Sequence, residues 1–296
     1  DTIFKDVISN LVIMQSMTGI YWPSQNINTI GSWNVYEGYK IKFNQDVVFN
    51  IYGTPLSNRS ITLNPGWHII PVLSSGNVSA ASILGVPGVD IAKEIAGTKV
   101  YWPGQSIYTL NTLQPGEAYM IRVSSTVTLN YPAKAGNASV VPQAVIDSPW
   151  SDPVQTGNSH VVAVPDAGTS GWSEGDIIGA FDSNGNICGV AAITKDKNAI
   201  VVFGDDLTTP EKDGMTEGEK ISFKLFNRAQ NTIVELSPDF DPGLPDDGYF
   251  NEDGLSAIMY KTSVSENEIA GVRIYPNPAC DYVTVQTSAS AGSAFE

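Results

Sequence analysis

The sequence is poor in the residues that most often carry metal or redox chemistry. Among its 296 residues there are two histidines and two cysteines. Cys188 and Cys280 lie far apart, and no C-x-x-C pair occurs, which excludes a zinc cluster and a thioredoxin-type site. A disulfide between the two cysteines stays open as an alternative, but the spacing does not favour it.

Charge and long apolar runs are also scarce. Charged residues make up 16% of the chain, and the net charge is −15. Such an acidic surface makes nucleic acid and anionic membranes poor partners. The chain has no run of about 18 apolar residues, which predicts no transmembrane helix. Its first residues do not have the pattern of a signal peptide. Hydrophobic residues still account for 42%, enough for packed cores.

What the chain does contain is an internal repeat. Tyr21-Trp22-Pro23 recurs as Tyr101-Trp102-Pro103, and at that offset of 80 residues the register holds without gaps. Recurrence favours a structural role for both tryptophans, because a corner that the fold needs is kept in every copy. The polar run after each corner differs more between the copies, so a ligand contact is expected there instead.

The repeat divides the first half of the chain into two β-rich units with a short helix each. We predict the C-terminal part of a first unit over residues 1–54 and a second unit over 55–134. Helices are expected near residues 2–16 and 80–96. Because the first copy opens inside the repeated pattern, we expect the intact protein to extend further towards its N-terminus.

A β-sandwich is predicted over residues 146–261. The preceding residues, 135–145, are small, uncharged and interrupted by proline, which is typical of a linker. Six short apolar or alternating runs follow, separated by turn-forming loops, and strands at such regular spacing indicate a sandwich. Asn184-Gly185 lies between two of the runs and is the strongest hairpin signal. The predicted fold class is therefore mainly β.

The sharpest motif lies near the C-terminus, after a polar linker over residues 262–270. Tyr275, Pro276, Asn277 and Pro278 stand between the strand-like runs VRIY and YVTVQT. The segment over residues 271–296 resembles the start of the C-terminal sorting domain of proteins exported by type IX secretion in Bacteroidota-type bacteria. About 15 residues carry the resemblance, and a complete sorting domain would have more strands. The alternative interpretation is an ordinary hairpin.

The resemblance implies binding to the type IX secretion machinery and export through the outer membrane, followed by surface attachment or release. The Tyr-Trp-Pro units and the sandwich also look like modules common in such exported proteins. We therefore predict a non-catalytic region of a secreted or cell-surface protein that serves adhesion, display or ligand binding, with a glycan or a surface protein as ligand. One alternative is a carbohydrate-binding accessory region of an enzyme whose catalytic domain lies upstream. A second alternative is a hydrolase.

No catalytic residue is predicted. Ser173 lies in a G-x-S-x-G run, but a turn-rich segment precedes it and a strand follows it, the reverse of a nucleophile elbow. His68 and His160 both precede Ser173, so the Ser, acid, His order of an α/β-hydrolase does not occur. Carboxylates are plentiful, yet the pattern predicts no large cleft-bearing fold to hold a facing pair.

Two acidic loops are candidates for structural Ca²⁺, because long loops can supply carboxylate and carbonyl oxygens. The better candidate contains Asp205, Asp206 and Asp213, and the second covers residues 238–254. Solvated loops without metal are the favoured alternative for both. The run DSNGN superficially resembles half of an EF-hand loop, but it lacks the required Gly and Glu, and we predict a hairpin turn.

Trp33 is the candidate ligand-binding aromatic. Exposed tryptophans can stack on sugars, and amphipathic aromatics mark interfaces. The residue 80 positions later is Leu113, so Trp33 has no aromatic counterpart. It is either a core residue peculiar to the first copy or a surface contact.

Overall fold

The structure is a computed structural model. It describes residues 3–259, apart from 52, 55, 135–137, 141, 143 and 144, and the backbone of 272–275 and 284–287. The chain divides into two compact units, residues 1–260 and 261–296. In the described part, no helix is long and apolar enough to span a membrane.

The first repeat unit is a four-stranded antiparallel sheet with the order β3-β2-β1-β4. A 3₁₀ turn over Pro23–Gln25 forms the Tyr-Trp-Pro corner between the second and third strands. The strands are β1 (Leu11–Gln15), β2 (Ile20–Trp22), β3 (Ile27–Asn28) and β4 (Lys40–Phe43).

The second repeat unit contains the same four strands and adds others. Its elements are β5 (Ser60–Leu63), β6 (Gly66–Pro71), β7 (Val78–Ser79), α1 (Ala80–Leu84), β8 (Val89–Glu94), β9 (Val100–Trp102), β10 (Ile107–Tyr108), β11 (Thr112–Leu113), β12 (Ala118–Val123) and β13 (Val127–Asn130). The main sheet has the order β10-β9-β8-β12-β6, and β5 pairs with β13. The β10-β9-β8-β12 part repeats the order β3-β2-β1-β4.

The predicted repeat is confirmed at the level of single hydrogen bonds. Asn26 and Ser106 both adopt left-handed backbone conformations, with φ of 56° and 59°, and each N–H donates to the oxygen of the corner proline. A non-glycine residue in that region is uncommon, so its recurrence reports one backbone path. Two further hydrogen bonds recur. The N–H of Ile20 donates to Thr29 Oγ1 at 2.8 Å, and the equivalent N–H of Val100 donates to Thr109 Oγ1 at 2.8 Å. The N–H of Asn34 donates to Tyr39 Oη at 2.8 Å, and the equivalent N–H of Gln114 donates to Tyr119 Oη at 3.1 Å.

The helix predicted in the second unit is shorter than expected, and the helix predicted near residues 2–16 is wrong, since the described residues 3–16 contain none. In the second unit the helix covers Ala80–Leu84 only, and β8 occupies Val89–Glu94 within the rest of the predicted range. In the first unit, residues 3–10 form turns and β1 occupies Leu11–Gln15. Both stretches are apolar and rich in Val and Ile, which pack well on a pleated sheet, and such short segments gain little from helix formation. The mainly β class is confirmed.

The sandwich consists of two four-stranded sheets. Its strands are β14 (Ser159–Val164), β15 (Ile177–Phe181), β16 (Ile187–Ala192), β17 (Asn198–Phe203), β18 (Ser222–Asn227), β19 (Thr232–Leu236), β20 (Asp239–Phe240) and β21 (Leu255–Met259). The sheet β17-β14-β21-β20 is called the middle sheet below, and β16-β15-β18-β19 the far sheet. All six predicted strands are present, and the hairpin predicted at Asn184-Gly185 joins β15 to β16.

The middle sheet is covered on both faces. Val162 and Val164 point into the sandwich core, whereas Val161 and Ala163 pack against apolar residues of the second repeat unit. The second unit, the middle sheet and the far sheet therefore form three layers. Strands buried on both faces have nearly continuous apolar sequences rather than alternating ones, as the runs HVVAV and AIVVF do.

In the C-terminal unit, two strands are described, β22 (Val272–Tyr275) and β23 (Thr284–Thr287). They pair antiparallel, with Tyr275 opposite Thr284. The strands predicted on either side of the motif therefore exist. Pro276, Asn277 and Pro278 lie outside the described residues.

Candidate functional site

The second Tyr-Trp-Pro corner is part of an interface. Trp102 is buried against the outer face of the middle sheet. It belongs to one apolar cluster with Val100 and Ile107 of the second unit and with Val201 and Phe203 of the middle sheet. Replacing a buried tryptophan by alanine typically lowers the free energy of unfolding by about 3–5 kcal/mol. Trp102 is thus a packing residue and offers no free ring face for a ligand.

Lys93 lies at the centre of the same interface. Its side chain is 2% exposed, and its Nζ lies 2.8 Å from Oδ1 of Asp253. Nζ also donates to the carbonyl oxygen of Ser159 at 2.7 Å and lies 5.5 Å from the Trp67 ring centre. Burial lowers the pKa of Lys93, and the charge of Asp253 opposes that shift. The ion pair joins the second unit to the sandwich.

Sequence reasoning did not identify Lys93. The available signal was weak: Lys93 follows Ile91 and Ala92 in the strand VDIAKE, where all three residues are buried. The corresponding residue of the first unit is Ile13. A charge at one copy and an aliphatic residue at the other indicates that the two copies face different surroundings.

A buried histidine continues the polar network beneath Lys93. His160 accepts a hydrogen bond at Nδ1 from the Asn251 N–H (3.3 Å), which leaves Nε2 to donate to Ser256 Oγ at 2.9 Å. Burial lowers the pKa of His160 to about 4, while Asp246 opposes the shift and Lys93 adds to it. The imidazole is therefore neutral near pH 7 and acts as a structural hydrogen-bonding group.

The first unit contacts the sandwich through more exposed lysines. Lys40 Nζ lies 3.1 Å from Glu252, and Lys42 Nζ lies 2.6 Å from Asp206. Lys42 is 35% exposed in its side chain, so water screens this pair more than the pair at Lys93. The two copies of the repeat are therefore expected to attach to the sandwich with different strength.

The aspartates predicted as metal ligands lie close together, but their carboxylate oxygens already accept hydrogen bonds from other groups of the protein. Asp205 accepts from the Asp213 N–H and Asp213 from the Asp206 N–H, both at 2.9 Å. Asp206 accepts from Thr208 and from Lys42. Partial burial acts to raise the pKa of Asp206, but these hydrogen bonds hold it below its ordinary value. The arrangement can stabilise the loop without a cation.

Among the described residues, no group of three or more His, Cys, Asp and Glu side chains is arranged to hold a metal ion. In the second acidic loop, Asp253 pairs with Lys93, and Asp246 accepts from Asn251 and from the Leu255 N–H. Structural Ca²⁺ at Asp205, Asp206 and Asp213 stays a prediction. A lower melting temperature in excess EDTA would support it, since a bound ion stabilises the native state.

Trp33 lies in an aromatic cluster of the first unit. Its ring stacks on Tyr39 with centres 4.6 Å apart, and Phe4 lies 6.3 Å away. Trp33 is 37% exposed, whereas Leu113, at the corresponding position of the second unit, is fully buried. One ring face is therefore covered by Tyr39, and part of the indole is accessible to solvent.

The polar run after the second corner borders a small groove. Tyr108 is exposed and contacts Tyr101 edge-on, with ring centres 5.3 Å apart. A cavity of about 390 Å³ beside it is also lined by Pro142, Ile146 and Val190. This is a second place where an apolar or sugar ring could contact the chain, and it lies in the run where a ligand contact was expected.

The free thiol of Cys188 and the imidazole of His68 do not form a reactive pair. Cys188 is buried, and burial raises its pKa to about 12, which keeps the thiol protonated. His68 Nε2 lies 2.7 Å from the Asn64 oxygen, and Ser173 N–H donates to Asp176. Cys280 lies outside the described residues.

Comparison of the chain with protein-family models, with curated proteins and with solved structures finds no match.

Proposed function

We propose that the chain is a non-catalytic region of a protein that type IX secretion delivers to the outer-membrane surface or to the medium, where it serves display or adhesion. The motif at Tyr275, Pro276, Asn277 and Pro278 supports the route of export. The layered packing of the second unit on the sandwich supports the role in display, because a stack of sheets makes a stiff spacer.

The observation that carries the proposal is the burial of Trp102 and Lys93 between the second unit and the middle sheet. A face that is used for packing cannot serve as a ligand platform or as one wall of a hinged cleft. The interface combines apolar packing with an ion pair whose lysine is 2% exposed, so the two modules are expected to move as one body.

Export is tested in the cell that produces the protein. In the full-length protein, the four residues from Tyr275 to Pro278 are replaced by alanine, and the fraction accessible to protease on intact cells is measured. We expect the surface fraction to fall to background. Alanine at residues 264–267, in the predicted linker, is the matched control and should leave it unchanged. Equal surface fractions for both variants would contradict the proposal.

A second candidate is a carbohydrate-binding accessory region, and the accessible ring of Trp33 is the observation that favours it. Aromatic rings stack on sugar faces, and tryptophan is well suited to such contacts. Glycan-array binding that is lost on Trp33→Ala, but kept on Val35→Ala in the same exposed loop, would support this function. Binding that survives both substitutions would direct attention to the groove at Tyr108.

A further inference from the structure

Among the described residues, the ion pair between Lys93 and Asp253 is the one most shielded from water. The Lys93 side chain is 2% exposed and that of Asp253 is 15% exposed, and Nζ lies 2.8 Å from Oδ1. Lys42 and Asp206 lie closer, at 2.6 Å, but their side chains are 35% and 21% exposed. Close contact is therefore common to both pairs, whereas exclusion of solvent distinguishes the pair at Lys93.

The nitrogen of Lys93 is fixed against the carboxyl group of Asp253. Besides Asp253, Nζ contacts the carbonyl oxygen of Ser159 at 2.7 Å and its Oγ at 3.0 Å. These three acceptors match the three donors of a lysine ammonium. The Trp67 ring, 5.5 Å from Nζ, covers the nitrogen on a further side. Groups held in contact by a rigid frame react far faster than the same groups free in solution.

The Ser159 carbonyl contacts both members of the pair. It accepts the Lys93 bond and also a bond from the backbone N–H of Asp253 at 3.1 Å. Asp253 has a φ of 57°, in the left-handed region that non-glycine residues seldom adopt. Such a conformation persists where the surrounding structure fixes it. The backbone at Asp253 is therefore held in the path that places its carboxyl group at Nζ.

Burial also favours the reactive forms of the two groups. Taking an ammonium and a carboxylate out of water disfavours both charges. Burial lowers the pKa of Lys93, the charge of Asp253 opposes that shift, and Lys40 adds to it. Transfer of one proton from Nζ to Oδ1 leaves a neutral carboxyl group and a neutral amine. The lone pair of that amine points along the former N–H bond, towards the carboxyl group, and a neutral amine is a nucleophile.

We propose that Lys93 and Asp253 condense to an intramolecular isopeptide bond, which links the second repeat unit covalently to the sandwich. Nζ attacks Cγ of Asp253 and forms the N–C bond, the bond from Cγ to the protonated oxygen breaks, and one water molecule leaves. The ammonium and the carboxylate together supply the two hydrogens and the oxygen of this water, so the step needs no oxidant or cofactor. The inference does not depend on the route of export.

The product fits the contacts that are already present. An amide nitrogen has one hydrogen, and the Ser159 carbonyl oxygen is its acceptor in this site. The water is released at the Asp253 carboxyl group, which is the more exposed of the two reacting groups. The bond would join residues of two modules that are otherwise held together only by packing and by non-covalent polar contacts.

The bond is detected by mass spectrometry of the full chain. The protein is purified in the folded state and then denatured, and its intact mass is compared with the mass of its sequence. We expect a deficit of one water molecule. Tryptic digestion should give a branched peptide that joins the segments around Lys93 and Asp253, without cleavage after Lys93. The Lys42 and Asp206 segments are the internal control and should stay unlinked.

Lys93→Arg is the matched variant, because a guanidinium keeps the positive charge but does not form the amide. Its mass should equal that of its sequence. Asp253 precedes Gly254, and a succinimide at that position would also remove one water molecule. A deficit that persists in Lys93→Arg, or that maps to Asp253 without a branch, would therefore overturn the proposal. A wild-type chain that keeps its full sequence mass after prolonged incubation in the folded state would overturn it as well.

Discussion

The two repeat units share a backbone and differ in what surrounds them. Trp102 lies buried against the middle sheet, whereas Trp22, in the same corner with the same turn, is only partly buried. The core of the second unit is closed by β5 and β6, whereas among the described residues no strand pairs with the outer edge of β4 in the first unit. The comparison shows that the local sequence determines the corner, while neighbouring segments determine whether its apolar face is a core or a surface.

The same comparison separates two kinds of lysine contact. Lys93 is buried and has no lysine counterpart in the first unit, where Ile13 occupies the position. Lys42 is partly exposed and pairs with an acidic loop. The second unit is therefore expected to be bound firmly to the sandwich, and the first unit to be held more weakly. Four substitutions or conditions test this difference.

The largest effect is expected from Trp102→Ala. Removal of this buried ring leaves a cavity between the second unit and the middle sheet, and we expect a loss of about 3–5 kcal/mol in the free energy of unfolding. Trp22→Ala is the matched control and should cost less than half as much, because part of its ring is already in water. Urea denaturation measures both. Equal losses would remove the distinction between the two corners.

Lys93→Ala should be nearly as damaging. It leaves the Asp253 carboxylate, whose side chain is only 15% exposed, without its cation, and breaking a buried pair on one side costs about 3 kcal/mol. Lys42→Ala removes a partly exposed pair and should cost about 0–1 kcal/mol. Chemical denaturation of the two variants gives the comparison. A small loss for Lys93→Ala together with a large one for Lys42→Ala would reverse the account.

Lowering the pH should destabilise the fold through protonation of His160, which lies beside the interface between the second unit and the sandwich. Because the folded pKa of about 4 lies below the ordinary value of 6.5, the unfolded chain binds a proton first as the pH falls. The stability that His160 provides is therefore present above pH 6.5 and is lost towards pH 4, by up to about 3 kcal/mol. The wild type is compared with His160→Gln, whose unfolding free energy should fall less steeply. Parallel pH profiles would contradict the expectation.

A smaller loss of stability is expected from a substitution where the first repeat unit contacts the second repeat unit. Gly38 donates its N–H to the Ile69 oxygen at 2.9 Å, and a Cβ at this position would stand 2.5 Å from the Ile69 side chain. Gly38→Ala should cost about 1–3 kcal/mol by overpacking, although the second unit itself has Ala118 at the equivalent position. Gly53→Ala, with no atom within 4 Å, is the control in thermal unfolding. A neutral Gly38→Ala would show that the contact between the units is loose.

Much of the fold could be predicted from local patterns. The six strands of the sandwich and the hairpin at Asn184-Gly185 follow from apolar runs and turn residues, which act over short distances. β21 was missed, because Leu255–Met259 is a short run that joins the sheet parallel to β14, and its partner lies far away in sequence. One helix was predicted too long and the one near residues 2–16 was wrong, since a helical period and a buried strand look alike over a few residues.

The candidate site was less predictable, because burial depends on distant segments. The offset of 80 correctly indicated that Trp102 packs, yet it did not reveal the second layer on which it packs. The sequence singled out Trp33 because it has no aromatic counterpart in the second unit. Its partial exposure could not be predicted, because it depends on which segments pack beside it. Lys93 and His160 become a network only when β8, β14 and the loop before β21 meet.

Hydrogen exchange on the unmodified chain tests the central claim most directly. Residues 40–51 and 120–131 occupy equivalent positions in the two units, so each serves as the control for the other. We predict that amides of residues 120–131 exchange at least about 100-fold more slowly than those of residues 40–51, because in the described part of the chain β12 and β13 have partner strands β6 and β5, whereas the outer edge of β4 has none. Equal protection of the two segments would contradict the account.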